Sequence, residues 1–128
     1  MNLLLDTNIV IWFANGEAAL SGKIKEIICS DNNKKFCSII SLWEIAIKIN
    51  IGKLIFSLPF PQLEKLLVEN NIQVIYPTLK DLDFYKTLPL HHKDPFDRLL
   101  IAQGIVNNFT IITSDKVFND YPVSIMLH

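Results

Sequence analysis

Short continuous apolar runs alternate with amphipathic stretches along the whole chain, and this alternation sets the expected fold class. Asn2–Leu5 is a short run, apolar in its three leucines, up to Asp6-Thr7-Asn8, which reads as a buried strand stopping at a helix cap. Ile9–Ala14 is apolar on every side, so a helix there has to be buried all round or covered by another chain. A second helix fits Ala19–Ser30, with Ile24, Ile27 and Ile28 on one face. Phe36–Ile40 predicts a second buried strand, after which Ser41 starts a helix that runs to about Asn50 and stops at Gly52. Beyond a loop holding Pro59 and Pro61, Leu63, Leu66 and Leu67 carry helical spacing from Gln62 to about Glu69. Ile72–Tyr76 predicts a third strand and Leu79–Leu88 a further helix. Asp94-Pro95 opens a helix to about Asn107, with Pro95 suited to its first position. Thr110–Thr113 is a fourth strand ending at Ser114-Asp115, and Val123–Met126 a fifth. Buried strands alternating with helices predict an α/β fold around a parallel sheet covered on both faces. In such folds ligands bind beyond the carboxyl ends of the strands, where Asp6 and Asp115 stand.

Composition narrows the class without deciding it. At 128 residues one domain with one core, spanning 1–128, is expected, and 50% hydrophobic residues with a mean hydropathy of +0.30 exclude a disordered chain. The apolar surplus also suggests a surface covered by a partner. A net charge of −1 argues against a stoichiometric nucleic-acid coat protein, although a nuclease can take its positive charge from bound metal. Cys29 and Cys37 form no CxxC pair and read as two reduced core cysteines. NLLLDTNIVIWFA has no basic leader and carries Asp6 in its middle, so it does not read as a signal peptide. The apolar stretch Phe36–Leu58 is broken by Glu44, Lys48, Asn50 and Lys53, too polar for a membrane span. A soluble cytoplasmic protein is the expectation.

Four acids carry the candidate chemistry, and each also has an ordinary structural explanation. Asp6 can cap the helix after the first strand. Glu44 follows Ser41 by three residues, a capping-box spacing, and precedes Lys48 by four, a helical ion pair. Yet Leu42, Trp43, Ile45, Ala46 and Ile47 surround Glu44, and a half-buried carboxylate is costly unless paired or bound to metal. Asp94 reads mainly as the N-cap of its helix, which leaves Asp97 as a first-turn acid. Asp115 sits in a turn after the fourth strand, and Asp120 is a weaker candidate further into the loop. Hard divalent ions such as Mg²⁺ or Mn²⁺ take oxygen ligands and keep several waters, so a few carboxylates suffice. Carboxylates crowded without a cation raise one another's pKa, so a cluster of them itself predicts a cation. Phosphodiester hydrolysis needs activated water, a stabilised leaving oxygen and neutralised phosphate charge, all of which one or two such ions can supply.

At these residues the chain resembles the PIN-domain family, and particularly the VapC-type toxins of bacterial toxin–antitoxin pairs. The stretches that carry the resemblance are LLLDTNIVIW, SLWEIAIKINIGKL, HHKDPFDRLLIAQ and IITSD, in that order over nearly the whole chain. DPFDRLLIAQ is the most specific of them. The resemblance implies an α/β, PIN-like three-layer sandwich with a central, mainly parallel four- to five-stranded sheet flanked by helices. It implies an acidic pocket for Mg²⁺ or Mn²⁺ and an endoribonuclease held in check by a small antitoxin protein. By position, Asp6, Glu44, Asp97 and Asp115 match the acidic quartet, while Asn8 and Ser114 match polar positions that orient ligands or water. Asp6 and Asp97 are then the principal metal ligands, with Asp115 and Glu44 completing the shell directly or through water. Ile9, Trp12 and Phe13 become candidates for burial under the antitoxin or a second copy of the chain, against ordinary core packing. Arg98, the sole arginine, either touches RNA or packs and pairs inside the chain.

Other readings fit less well. A receiver-type phospho-acceptor domain wants two adjacent acids after the first strand and a lysine after the last, where this chain has Asp6-Thr7 and no such lysine. A haloacid-dehalogenase-type phosphatase wants Asp-x-Asp, and position 8 is Asn. The remaining rival is a catalytically silent PIN-like domain that binds RNA or a protein. His91 and His92 precede Asp94 in a loop and read as cap or surface residues ahead of metal ligands or general acids, and His128 as a frayed terminus.

Overall fold

The computed structural model describes residues 1–128. Five strands and six helices follow in the order β1 (Asn2–Leu5), α1 (Thr7–Asn15), α2 (Gly22–Cys29), β2 (Lys34–Ser38), α3 (Ile39–Asn50), α4 (Phe60–Glu69), β3 (Ile72–Ile75), α5 (Leu79–Tyr85), α6 (Pro95–Val106), β4 (Thr110–Thr113) and β5 (Ser124–Leu127). A 3-10 turn, Lys116–Asp120, bridges the last two strands. The strands form one sheet in the order β3-β2-β1-β4-β5, and every pairing is parallel. The expected mainly parallel sheet of four to five strands is thus a five-stranded, wholly parallel one.

Side-chain alternation along the strands builds the three layers. In β1, Leu3 and Leu5 join one apolar cluster with Ile9 and Val10 of α1, Ile24 and Ile28 of α2, Ile45 of α3, and Leu63 and Leu67 of α4. Leu4, pointing the other way, joins Leu100, Ile101 and Ala102 of α6 with Phe109, Ile111, Phe118 and Tyr121. Because both faces are covered, the strands read as continuous apolar runs. Gly104 lets α6 lie close to the sheet: a Cβ there would stand 3.0 Å from side-chain atoms of both Ile111 and Val123.

Several boundaries differ from the sequence expectation. Helix α3 begins at Ile39, not Ser41, and its N-cap is Ser38, whose hydroxyl accepts the Ile40 N–H at 3.2 Å. Strand β2 correspondingly ends at Ser38 rather than Ile40. Helix α5 stops at Tyr85, three residues before Leu88, where the Thr87 hydroxyl bonds the Phe84 carbonyl at 2.7 Å. Ile9 is fully buried core, while Trp12 and Phe13 are half-buried against it, so only the latter two remain as candidate contact residues on α1. His128 is held rather than frayed: its Nε2 accepts the Ser21 N–H at 2.9 Å and its backbone N–H bonds Thr113 O at 2.7 Å. No helix is long and apolar enough to cross a membrane.

Candidate active site

The strand order places a crevice at a defined point. From β1 the chain moves outward through β2 to β3, then returns to the other side of β1 to lay down β4 and β5. Beyond the carboxyl ends of β1 and β4, connections therefore leave in opposite directions, the geometry that opens a ligand crevice in α/β sheets. Asp6 directly follows β1, and Asp115 lies two residues beyond β4. Glu44 sits in the second turn of α3, which leaves the same edge after β2, and Asp97 in the first turn of α6, which contacts α3. Trp43 and Phe96, their sequence neighbours, pack edge to face with ring centroids 5.3 Å apart.

Asp6 is the most firmly held of these acids. Its Oδ1 accepts the Thr7 N–H at 2.7 Å, capping α1, and its Oδ2 accepts the Thr113 hydroxyl at 2.7 Å. Capping and site membership therefore coexist in one side chain. Burial nevertheless pushes Asp6 up to about 6, with Glu44 and Asp115 adding like-charge repulsion against the lowering by its two hydrogen bonds. Asp97 is pushed up to about 8, first by burial and then by the negative charge of Asp6, Asp94, Glu44 and Asp115. Asp6 and Asp97 thus both lie within electrostatic reach of Glu44 and Asp115.

The neighbouring groups explain how each acid is presented. Asp94 caps α6, accepting the Phe96 and Asp97 N–H groups at 2.9 and 3.1 Å, as the sequence suggested. Glu44 makes no capping box, since Ser41 lies inside α3 and instead accepts the Thr7 hydroxyl at 3.0 Å. Its Oε2 pairs with Lys48 at 3.3 Å, and its Oε1 is buried with no hydrogen-bond partner. Asp115 is exposed, its Oδ1 capping the 3-10 turn through the Val117 N–H at 3.0 Å. Of the two supporting polar residues, Asn8 is exposed and Ser114 half-buried.

Thr113, Thr7 and Ser41 had no site role in the sequence reading. Thr113 is fully buried and bonds both Asp6 and the Asp115 N–H, the latter at 3.0 Å. A polar residue ending an apolar strand just before Ser114-Asp115 was the available signal. Thr7 and Ser41, both buried, join the starts of α1 and α3. His92, read as a cap or surface residue, has its Nε2 3.4 Å from Asp97 Oδ2.

The donor set fits a hard divalent cation. It is all oxygen, two of its carboxylates are held above their ordinary range by uncompensated negative charge and burial, and Glu44 keeps an orphaned buried oxygen. As placed here, no three His, Cys, Asp or Glu side chains stand close enough together to hold an ion. A groove of about 730 Å³ is a separate apolar feature of α3, α4 and β3 that none of the four acids lines.

The architecture has known counterparts. A chain of VapBC2 from Rickettsia felis, solved bound to a DNA fragment from the promoter, matches with a TM-score of 0.75 and 21% identity, covering 99% of this chain and 98% of that one. A chain of VapBC-1 from nontypeable Haemophilus influenzae matches with a TM-score of 0.62 and 20% identity, again covering 99% and 98%. At such identities the likeness speaks for the fold. No curated protein matches significantly. The PIN domain family model, however, matches residues 3–123, from β1 to beyond the 3-10 turn, and by that match the chain belongs to the PIN domain family, a family of nucleases.

Proposed function

We propose that this protein is a Mg²⁺- or Mn²⁺-dependent endoribonuclease and the toxin of a type II toxin–antitoxin pair, working in the cytoplasm. The observation that supports the nuclease reading is that Asp6 and Asp97 are driven up to about 6 and about 8 by burial and by the negative charge of neighbouring acids, Glu44 and Asp115 among them. The toxin reading is supported by the four sequence stretches that resemble VapC-type toxins and by the fold shared with VapBC2 and VapBC-1. Its partners are then RNA as substrate, a cognate antitoxin protein and a second copy of the chain in a homodimer.

Asp6 and Asp97 would hold the cation, with Asp115 and Glu44 completing the shell directly or through water. When bound, the ion supplies phosphate-charge neutralisation and Lewis acidity. Asp6 is presented rigidly, since both its oxygens are tied to Thr7 and Thr113. Glu44 divides its work: Oε2 is anchored on Lys48, and Oε1 is the free acceptor that orients the attacking water. Asp94 spends its carboxylate on the α6 cap and serves as a positioning residue for Asp97. Asn8 and Ser114 orient ligand or water at the rim. Attack by water, rather than by the neighbouring ribose 2′-hydroxyl, leaves a 5′-phosphate and a 3′-hydroxyl.

The test is incubation with single-stranded RNA, with and without Mn²⁺, beside an Asp97→Asn variant. Metal-dependent cleavage lost in the variant, with 5′-phosphate ends, is the expected result. Equal cleavage by the variant, or none by either protein, leaves the reading of a silent RNA- or protein-binding domain. A 2′,3′-cyclic phosphate end overturns the water-attack mechanism.

A further inference from the structure

His92 lies in the loop between α5 and α6, outside the acidic quartet, yet its ring is locked between that quartet and a buried polar cluster. Arg98, buried on α6, sends Nη1 to Pro89 O at 2.8 Å and to the Tyr121 hydroxyl at 3.0 Å, and its guanidinium lies 5.3 Å from the Tyr85 ring centroid. Tyr121, itself buried, also receives the His92 backbone N–H at 3.3 Å and contacts His92 Nδ1 at 2.8 Å.

Counting hydrogens on the Tyr121 oxygen favours one tautomer of the imidazole. A phenol oxygen has two lone pairs and one proton. The lone pairs are taken by Arg98 Nη1–H and the His92 backbone N–H. The phenol proton is therefore the one directed at Nδ1, which must be a bare acceptor. The single ring proton then sits on Nε2, the nitrogen 3.4 Å from Asp97 Oδ2 and otherwise buried with no partner.

We propose that His92 is a positioning residue for Asp97, held by the Arg98–Tyr121 pair as the Nε2–H tautomer so that it donates to the Asp97 carboxylate. At 3.4 Å the contact is too long and poorly aligned to be a full hydrogen bond, and the proposal requires it to tighten once Asp97 holds its ligand. Partners of this kind orient the residues that hold a metal and typically govern about 10- to 100-fold in its affinity. The metal-binding part rests on the reading of Asp97 given above, whereas the tautomer rests on the Tyr121 hydrogen bonds alone.

Long-range ¹H–¹⁵N correlation of the histidine rings in the metal-free wild-type chain reads the tautomer directly. A protonated Nε2 and a bare Nδ1 on His92 are expected, with that preference lost in Tyr121→Phe. A protonated Nδ1, or an even tautomer mixture in wild type, overturns the proposal whether or not any variant folds. Mn²⁺ titration of the RNA-free protein supplies the second readout. His92→Asn, which keeps a group near Nδ1 but none at Nε2, should weaken Mn²⁺ binding about 10- to 100-fold. His92→Gln, which can place an amide N–H near Nε2, should recover most of that loss. If His92→Asn binds Mn²⁺ like wild type while Asp97→Asn does not, His92 has no positioning role and the nuclease reading stands. If Asp97→Asn also binds like wild type, it is the ligand role of Asp97 that fails, and the proposal falls with it.

Discussion

Thr113 donates its hydroxyl to Asp6 Oδ2 across 2.7 Å, joining the ends of β4 and β1 over a separation of 107 residues. The same oxygen receives the Asp115 N–H at 3.0 Å, so one buried hydroxyl sets the spacing of two acids at the crevice. Thr113→Val should therefore cost about 2 kcal/mol of stability through the lost charge-assisted bond. It should also raise the Asp6 pKa further, because the Thr113 hydrogen bond does most to hold it down. Thr113→Ser keeps the hydroxyl and should restore both. Denaturant melts and carboxyl NMR titration of the three proteins check this.

The raised carboxyls make the metal-free protein sensitive to alkali rather than acid. Asp97 binds its proton up to about 8 when folded, against an unfolded value of about 3.9. Between those limits the native state holds more protons than the unfolded one, so stability is greatest near pH 4 and falls as pH rises towards 8. Asp6 acts in the same direction up to about 6. Thermal melting without metal should decline across this window. Mn²⁺ should stabilise far more at the top of it than at the bottom, since protons and cation compete for the same oxygens. A melting temperature that rises from pH 5 to pH 8 in the absence of metal would count against the whole electrostatic picture.

Glu44 and Ser38 separate function from helix capping. Ser38→Ala should destabilise by about 1 kcal/mol, the usual cost of a lost N-cap. Glu44→Gln removes no cap and only a partly exposed pair with Lys48, so stability should change little while RNA cleavage drops. If the stability losses were reversed, Glu44 would be a structural residue after all.

Arg98 is spoken for inside the protein. Its guanidinium donates to Pro89 O and Tyr121 and faces the Tyr85 ring, which leaves it no reach towards a phosphate. Arg98→Lys should lose the fork geometry and destabilise by about 2 kcal/mol. Any loss of cleavage that remains well below the melting temperature should act through the His92 tautomer that Arg98 and Tyr121 hold, and should shrink in excess Mn²⁺.

The sequence was most legible where an apolar run met a polar stop. Both ends of β1 and of β4 were predicted correctly because Asp6-Thr7 and Ser114-Asp115 close those runs abruptly. The start of α3 was misplaced because Ser38 and Ser41 are equally good caps locally. Pairing of β2 with β3, which extends to Ser38 opposite Ile75, decides between them, and that is a long-range contact. With it went the capping-box explanation of Glu44. The acidic quartet came from the resemblance to PIN domains, because strand ends and caps alone do not show that Asp6, Glu44, Asp97 and Asp115 converge. The environment of His92 was not legible, because its defining partner, Tyr121, is 29 residues away. His128 was likewise unreadable, its partners being Ser21 and the Trp12 ring, whose centroid is 5.2 Å from its own.

The central claim is that these acids jointly hold the cation that RNA hydrolysis requires, with Asp6 and Asp97 at its centre. The most direct measurement is the rate of single-stranded RNA cleavage in Mn²⁺ by wild type and by Asp6→Asn, Glu44→Gln, Asp97→Asn and Asp115→Asn side by side. Loss is expected in all four variants, deepest for Asp6→Asn and Asp97→Asn. Cleavage that persists without metal, or an Asp6→Asn or Asp97→Asn protein as active as wild type, would contradict that claim.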